Sequence, residues 1–144
     1  MLIGIPKILS PDLLKILMEM GHGDEIVLAD GNFPSSSHGN RLIRADGHGV
    51  VPLLEGILTL FPLDNYVEHP VMLMKVVEGD KVTTPIWNDY DRIIKGRTCL
   101  SNPFLYVERF AFYERAKQAY AVVATGETAL YANVILKKGI IQER

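Results

Sequence analysis

The 144-residue sequence is poor in cysteine and has neither a basic run nor a long apolar run. A single cysteine, Cys99, cannot form an intramolecular disulfide or supply the paired thiolates of a structural zinc site. The 15 basic and 17 acidic residues nearly cancel, so the concentrated positive charge that nucleic-acid binding requires is missing. The longest apolar stretches fall far short of the roughly 20 residues that span a bilayer. We therefore expect a protein that binds neither nucleic acid nor membrane.

The first residues also lack the pattern of a secretory signal. Residues 1–7 contain no basic segment ahead of an apolar one, and Asp12 and Lys15 interrupt the apolar residues that follow. A lone cysteine suits a reducing compartment. Together these features predict a cytoplasmic location.

Common catalytic motifs are missing as well. His38, His48 and His69 are scattered, without the close spacing that holds a metal. Gly47-His48-Gly49 is not followed by Lys-Ser/Thr and does not extend into a dinucleotide-binding glycine pattern. No nucleophile elbow and no Cys/His pair is present. The sequence thus favours general acid/base chemistry on a small polar substrate, without metal or organic cofactor.

Hydrophobic periodicity predicts alternating helices and strands. Apolar residues make up 48% of the chain, which is enough to form a core. Helices are predicted at residues 11–20, 50–61, 85–95 and 108–118, strands at 25–30, 42–45, 71–77, 104–107, 120–125 and 133–136, and a loop at 31–40. Several of these strands are apolar throughout, as in sheets buried on both faces. We expect one α/β domain, residues 1–144, with a central, largely parallel sheet flanked by helices.

His22 is the first candidate for chemistry, in Gly21-His22-Gly23-Asp24 between a predicted helix and strand. Flanking glycines allow a sharp turn and leave the ring uncrowded, and imidazole titrates near neutral pH. The end of the helix dipole and the nearby Asp24 would favour the charged ring. The alternative is a surface histidine beside a helix-ending glycine.

Asp30 follows the predicted strand 25–30 and precedes Gly31-Asn32-Phe33-Pro34. Ligands of open α/β sheets gather beyond the carboxyl ends of the strands, where an acid can accept hydrogen bonds from sugar hydroxyls. Aspartate is also an ordinary cap for loop amides, so both roles stay open at this point.

Two further pairs suit a polyol. Arg109 and Tyr113 lie four residues apart on a predicted helix and would share one face, combining fixed donors with an aromatic surface. The alternative places Phe110 and Tyr113 in the core with the charges in water. Tyr131 and Asn133 point to the same side of an extended segment and could converge on one ligand, although a turn before a strand explains the same residues.

Taken in order, these segments resemble the RbsD/FucU family, which comprises D-ribose pyranases and L-fucose mutarotases. The likeness covers almost the whole chain and rests on Gly21-His22-Gly23-Asp24, on Asp30 before Phe33-Pro34, and on segments 43–47, 109–116, 125–127 and 131–139. Segment 109–116 and Gly23 look more like the fucose branch than the ribose branch.

The resemblance implies a cofactor-free sugar isomerase with an α/β subunit. It implies ring-like homo-oligomers, commonly decamers, with active sites at subunit interfaces. The expected reaction is interconversion of the α and β anomers of L-fucose by ring opening and closure. D-ribose pyranase activity and a non-catalytic sugar-binding module are the alternatives.

The resemblance also assigns roles to individual residues. His22 matches the catalytic acid/base that would protonate the ring oxygen, and Tyr131 would assist at the anomeric hydroxyl. Asp30, Arg109 and Asn133 match sugar-binding positions. Tyr113 and Asp64 correspond to further substrate-binding residues of some family members.

Overall fold

Six short apolar strands form one sheet in the computed structural model, which describes residues 1–143. They are β1 (Glu25–Ala29), β2 (Leu42–Ala45), β3 (Val71–Met74), β4 (Phe104–Val107), β5 (Ala121–Thr125) and β6 (Val134–Lys137). Their order across the sheet is β2-β5-β1-β6-β3-β4. Strand β6 runs antiparallel to both of its neighbours, β1 and β3, whereas the other three pairs are parallel. The prediction of a largely parallel α/β sheet is confirmed, with β6 as the exception.

Five helices accompany the sheet in the described part of the chain: α1 (Pro11–Glu19), α2 (Ser35–His38), α3 (Val50–Leu58), α4 (Ile86–Lys95) and α5 (Arg109–Gln118). Apolar residues of α1, α3 and α4 pack with one face of the sheet, and those of α5 pack with the other. Burial on both faces explains why β1, β3 and β5 are apolar without alternation. No helix within residues 1–143 is long and apolar enough to cross a bilayer.

Helix starts follow the local sequence closely. The Ser10 hydroxyl accepts a hydrogen bond from the Leu13 amide at 3.2 Å, and Pro11 occupies the first turn of α1. The Glu108 carboxylate accepts hydrogen bonds from the Phe110 and Ala111 amides at the start of α5. Such caps satisfy amides that have no partner inside the helix, which is why these boundaries could be predicted.

Three predictions differ from the structure by more than one residue. The predicted loop at 31–40 contains the one-turn helix α2, and the second long helix ends at Leu58 rather than near Phe61. Strand β3 ends at Met74 instead of residue 77. The amide of Lys75 still bonds to the carbonyl of Val107, the last residue of β4. Because β4 ends there, β3 has no neighbouring strand to pair with beyond this point.

The direction of β6 determines which residues lie together at each end of the strands. Because β6 is antiparallel, the residues that precede it lie at the carboxyl ends of the parallel strands. At its other end, the Lys138 carbonyl accepts a hydrogen bond from the Gly23 amide at 2.8 Å. Residues 131–133 therefore approach Asp30, while residues 137–138 lie beside the turn that carries His22.

Candidate functional site

A cleft of about 430 Å³ opens beyond the carboxyl ends of the parallel strands. Four segments form it: the loop after β1, the loop after β3, the first turns of α5 and the segment before β6. Its lining residues are Asp30, Asn32, Phe33, Met74, Val77, Asp80, Arg109, Tyr113, Leu130, Tyr131 and Asn133. The size suits a small ligand, and the position is the one that ligands favour in open α/β sheets.

Asp30 and Asn133 form a buried reciprocal pair at the base of this cleft. The Asn133 side-chain oxygen accepts a hydrogen bond from the Asp30 amide at 2.8 Å, and its Nδ2 donates to Asp30 Oδ2 at 3.2 Å. The Asn32 amide donates to Asp30 Oδ1 at 3.0 Å. Burial raises the pKa of Asp30, although these hydrogen bonds act in the opposite direction. The carboxylate is held in one orientation and is only thinly solvated.

Tyr131 enters the cleft from a strained backbone. Its φ of 56° lies in the left-handed region, which costs a residue other than glycine on the order of 1 kcal/mol. Helix α4 holds this segment: Trp87 Nε1 donates to the Tyr131 carbonyl at 2.8 Å, and the Tyr90 hydroxyl donates to the Ala132 carbonyl at 2.7 Å. The Tyr131 hydroxyl donates to Asp80 Oδ2 at 2.7 Å.

Arg109 and Tyr113 lie on the same side of α5, as their spacing predicts. Arg109 Nε donates to the Tyr113 hydroxyl at 3.3 Å. The Tyr113 ring packs against Phe33 and His38, with ring centroids 5.5 Å and 5.4 Å apart. Phe110 is 65% exposed, so the alternative that placed it in the core is wrong. Both Arg109 and Tyr113 border the cleft.

His22 lies at the opposite end of the parallel strands. It precedes β1, whereas Asp30 follows β1. The four Cα-to-Cα steps of this five-residue strand span roughly 13 Å at about 3.3 Å each. Within a single copy of the chain, His22 and Asp30 therefore do not share a pocket. The ring is not packed in the core, since its side chain is 45% exposed.

The carboxylate that contacts His22 is Asp64, rather than Asp24. His22 Nε2 lies 3.2 Å from Asp64 Oδ1, and the Asp64 side chain is 3% exposed. Asp24 instead accepts a hydrogen bond from the Gly21 amide. The Tyr66 amide also donates to Asp64 Oδ1, and the Tyr66 ring centroid is 5.5 Å from that of His22. Asp64 thus orients the imidazole, and the structure does not bring it to the cleft where substrate binding was expected.

A larger cleft of about 610 Å³ lies at the amino ends of the parallel strands, near His22. Its charged groups are engaged with one another. Arg115 donates two hydrogen bonds of 2.8 Å to Glu25, and Arg41 lies 4.0 Å from the ring centroid of Tyr120. Within residues 1–143, no three His, Cys, Asp or Glu side chains are grouped to hold a metal. The cleft at the carboxyl ends is therefore the better candidate for a ligand site.

Sequence reasoning missed three residues at this site: Asp80, Trp87 and Tyr90. Each lies more than 40 residues before its partner at positions 131–132. The local sequence contains no pattern that predicts such contacts. Tyr90 lies on the buried face of α4, within a helix that was predicted at residues 85–95.

The fold and this arrangement of groups define the class of protein. The model of the RbsD / FucU transport protein family matches residues 3–141, and the chain belongs to that family. Among its relatives, the chain is 55% identical over 144 residues to human fucose mutarotase, which covers 96% of this chain and 93% of that protein. It is 51% identical over 140 residues to the L-fucose mutarotase of Histophilus somni, covering 97% of each.

A solved structure agrees in fold and sequence. The crystal structure of the fucose mutarotase in complex with L-fucose from Streptococcus pneumoniae matches with a TM-score of 0.94 and 56% identity. The match covers 98% of this chain and 100% of that one. The resemblance noted in the sequence is confirmed.

Proposed function

We propose that this protein is an L-fucose mutarotase, a sugar isomerase that interconverts the α and β anomers of L-fucose by ring opening and closure. The observation that carries the proposal is the cleft in which Asp30, Asn133, Arg109 and Tyr131 converge. The likeness to a mutarotase crystallised with L-fucose supports the same substrate.

The cleft offers what a deoxy sugar needs. The carboxylate of Asp30 accepts hydrogen bonds from sugar hydroxyls, and the guanidinium of Arg109 donates them. Met74 and Leu130 add apolar surface at the same cleft. L-fucose carries a methyl group in place of a C6 hydroxyl, whereas D-ribose has no such group. An apolar patch beside polar groups therefore favours fucose over ribose.

Ring opening moves two protons. The anomeric hydroxyl loses its proton toward Tyr131, and its electrons form the C1=O bond of the open aldehyde. The C1–O5 bond breaks and O5 takes a proton from the His22 imidazolium. Rotation about C1–C2 and closure on the other face reverse these steps, so no proton is consumed. Acid/base catalysis of this kind contributes about 10²–10⁴-fold.

His22 has one nitrogen available for this task. Asp64 accepts a hydrogen bond from Nε2, because a carboxylate has no hydrogen to donate, and Nδ1 is the atom left to exchange a proton. The length of β1 separates that atom from the cleft of its own chain. We therefore propose that a neighbouring copy supplies His22, which requires the ring-like homo-oligomer, commonly a decamer, that family members form.

Two further features belong to the proposal. Residues 1–144 act as one domain, supported by a family match that runs from residue 3 to residue 141. The protein works in the cytoplasm, supported by the single exposed thiol of Cys99, which suits a reducing compartment.

Saturation-transfer NMR on L-fucose, D-galactose and D-ribose tests the function. We expect the wild type to exchange the anomers of L-fucose faster than buffer does, and His22→Ala to lose about 10²–10⁴-fold in that rate. Asp64→Asn keeps the acceptor for the Tyr66 amide but removes the charge beside the imidazole, so it should lose rate with normal folding.

The alternatives give different results in the same experiment. Exchange no faster than buffer for every sugar would end the mutarotase proposal. Saturable L-fucose binding without exchange would identify a binding module, and preferential exchange of D-ribose would identify a pyranase. Unchanged exchange in His22→Ala would remove His22 from the mechanism.

A further inference from the structure

Asp80 lies in the cleft and contacts Tyr131, yet neither the sequence motifs nor the proposed mechanism assigns it a role. It follows Gly79 in a turn closed by a hydrogen bond from the Asp80 amide to the Val77 carbonyl at 3.0 Å. Its Oδ2 accepts the hydrogen bond of the Tyr131 hydroxyl at 2.7 Å. The Val77 amide donates to the same phenol oxygen at 3.3 Å.

These two contacts determine what the phenol can do next. A tyrosine hydroxyl has one hydrogen and two lone pairs. The hydrogen points to Asp80, because a carboxylate only accepts, and the Val77 amide occupies one lone pair. The remaining lone pair is the one available to a ligand. Toward the cleft, Tyr131 is therefore an acceptor of a proton and not a donor.

We propose that Asp80 is a positioning residue that makes Tyr131 the base for the anomeric hydroxyl and takes up the proton that Tyr131 releases. The inference rests on the proposed mutarotase function. It settles the direction of proton transfer at the anomeric oxygen, since an acidic phenol would have to point its hydrogen the other way.

The proton transfer balances without any other reactant. As the anomeric O1–H bond breaks, its proton bonds to Tyr131 Oη and the hydroxyl proton of Tyr131 passes to Asp80 Oδ2. The O1–H electron pair becomes the second bond of C1=O1, and the C1–O5 pair remains on O5, which takes a proton from His22. Ring closure returns each proton to its origin.

The surroundings of Tyr131 favour such a relay over a stored phenolate. The Asp80 carboxylate raises the pKa of Tyr131, and the nearby guanidinium of Arg109 acts more weakly in the opposite direction. The phenol therefore stays neutral and releases its hydrogen only as it receives another. Asp30 and Tyr113 are the other titratable groups that line the cleft.

Replacing Asp80 by asparagine tests the inference. Asp80→Asn preserves size but cannot take up a proton, so kcat for L-fucose exchange should fall about 10²-fold while KM changes less than about threefold. Asp80→Glu should restore at least part of kcat. Asp80→Ser, equally unable to accept the proton, should behave like Asp80→Asn and serves if the asparagine variant misfolds.

Glu78→Gln is the matched control, because it removes the same charge from an exposed position in the same loop. We expect its kcat and KM to equal those of the wild type. The double variant Asp80→Asn/Tyr131→Phe should be no slower than Tyr131→Phe alone, because Asp80 acts through the phenol.

The outcomes separate this inference from the proposed function. A wild type without anomer exchange defeats the function itself. An active wild type with unchanged kcat in Asp80→Asn overturns only the role of Asp80. So does a loss that appears entirely in KM, a Glu78→Gln variant that is equally slow, or a full additional loss in the Tyr131→Phe background.

Discussion

Asp30 is a carboxyl group that hydrogen bonds hold in a poorly solvated place. The residue is 8% exposed, and burial raises its pKa above the ordinary value near 3.8. Hydrogen bonds from the Asn32 amide and the Asn133 side chain stabilise the charged form. The Asn133 amide group, predicted as a sugar ligand, is engaged with Asp30 on both its oxygen and its nitrogen. Asn133 therefore orients the carboxyl group of Asp30.

The raised pKa of Asp30 predicts a loss of sugar affinity on acidification. A protonated carboxyl group donates where the carboxylate accepted, which removes a charged hydrogen bond worth about 1.5–3 kcal/mol, or roughly 10- to 100-fold in Kd. Because the pKa is raised, the loss begins at a higher pH than for an exposed aspartate. Titration calorimetry with L-fucose from pH 7 to pH 4, in a His22→Ala background, measures it.

Two variants assign this titration to one group. Asp30→Asn should bind weakly at every pH in that range, whereas Asp46→Asn, outside the cleft, should keep the wild-type dependence. A pH dependence that survives in Asp30→Asn would belong to another group and contradict the prediction.

At the scale of elements, one turn and one helix position the side chains of His22 and Tyr131. The turn at Gly23 leads into β1 and carries His22 at its exposed corner. Helix α4 holds the segment before β6 through Trp87 and Tyr90 and so stabilises the strained backbone of Tyr131. These elements fix the backbone around His22 and Tyr131, so both side chains point in a defined direction although both residues lie in turns.

Gly23 is predicted to be required for its backbone conformation alone. Its φ is +87°, and a Cβ atom there would meet no atom within 4 Å. Gly23→Ala should lower the free energy of unfolding by about 1–2 kcal/mol, because L-residues are strained in this region. It should also slow exchange by displacing His22. Chemical denaturation and the exchange assay measure the two effects.

Gly47 offers a matched control. A Cβ atom there would also meet open space, but its φ is not in the left-handed region. Gly47→Ala should therefore be neutral in both assays. Equal stability of the two alanine variants would show that the turn at Gly23 adapts without cost.

At the scale of the whole molecule, the candidate site is divided between the two ends of the strands. Asp30, Arg109, Tyr131 and Asn133 border one cleft, while the imidazole of His22 lies beside Asp64 at the other end. A rigid sheet cannot fold back to join them. In a closed ring of copies, the strand ends that carry His22 would face the cleft of the neighbouring copy. Every interface would then hold one complete site.

Mixing variants tests whether copies share a site. His22→Ala and Tyr131→Phe should each be nearly inactive, yet subunits refolded together in equal amounts should recover about one quarter of wild-type exchange, since about one interface in four would combine two intact halves. The control mixes the wild type with the double variant His22→Ala/Tyr131→Phe and should also retain about one quarter. A site within one chain predicts instead no recovery in the first mixture and about one half in the second.

The amino-acid sequence by itself determined the local features. Capping residues, apolar periodicity and turn-forming glycines predicted four long helices and all six strands, because these signals act over a few residues. The same local logic identified Asp30, Arg109, Tyr113, Tyr131 and Asn133, which do border one cleft.

Only the tertiary structure decided which distant residues meet. The antiparallel insertion of β6 brings Asn133 to Asp30, 103 positions away, and the packing of α4 brings Trp87 to Tyr131. The same sheet separates His22 from the cleft by the length of β1. Strand order and direction depend on how the whole core packs, and no short stretch of sequence contains that information.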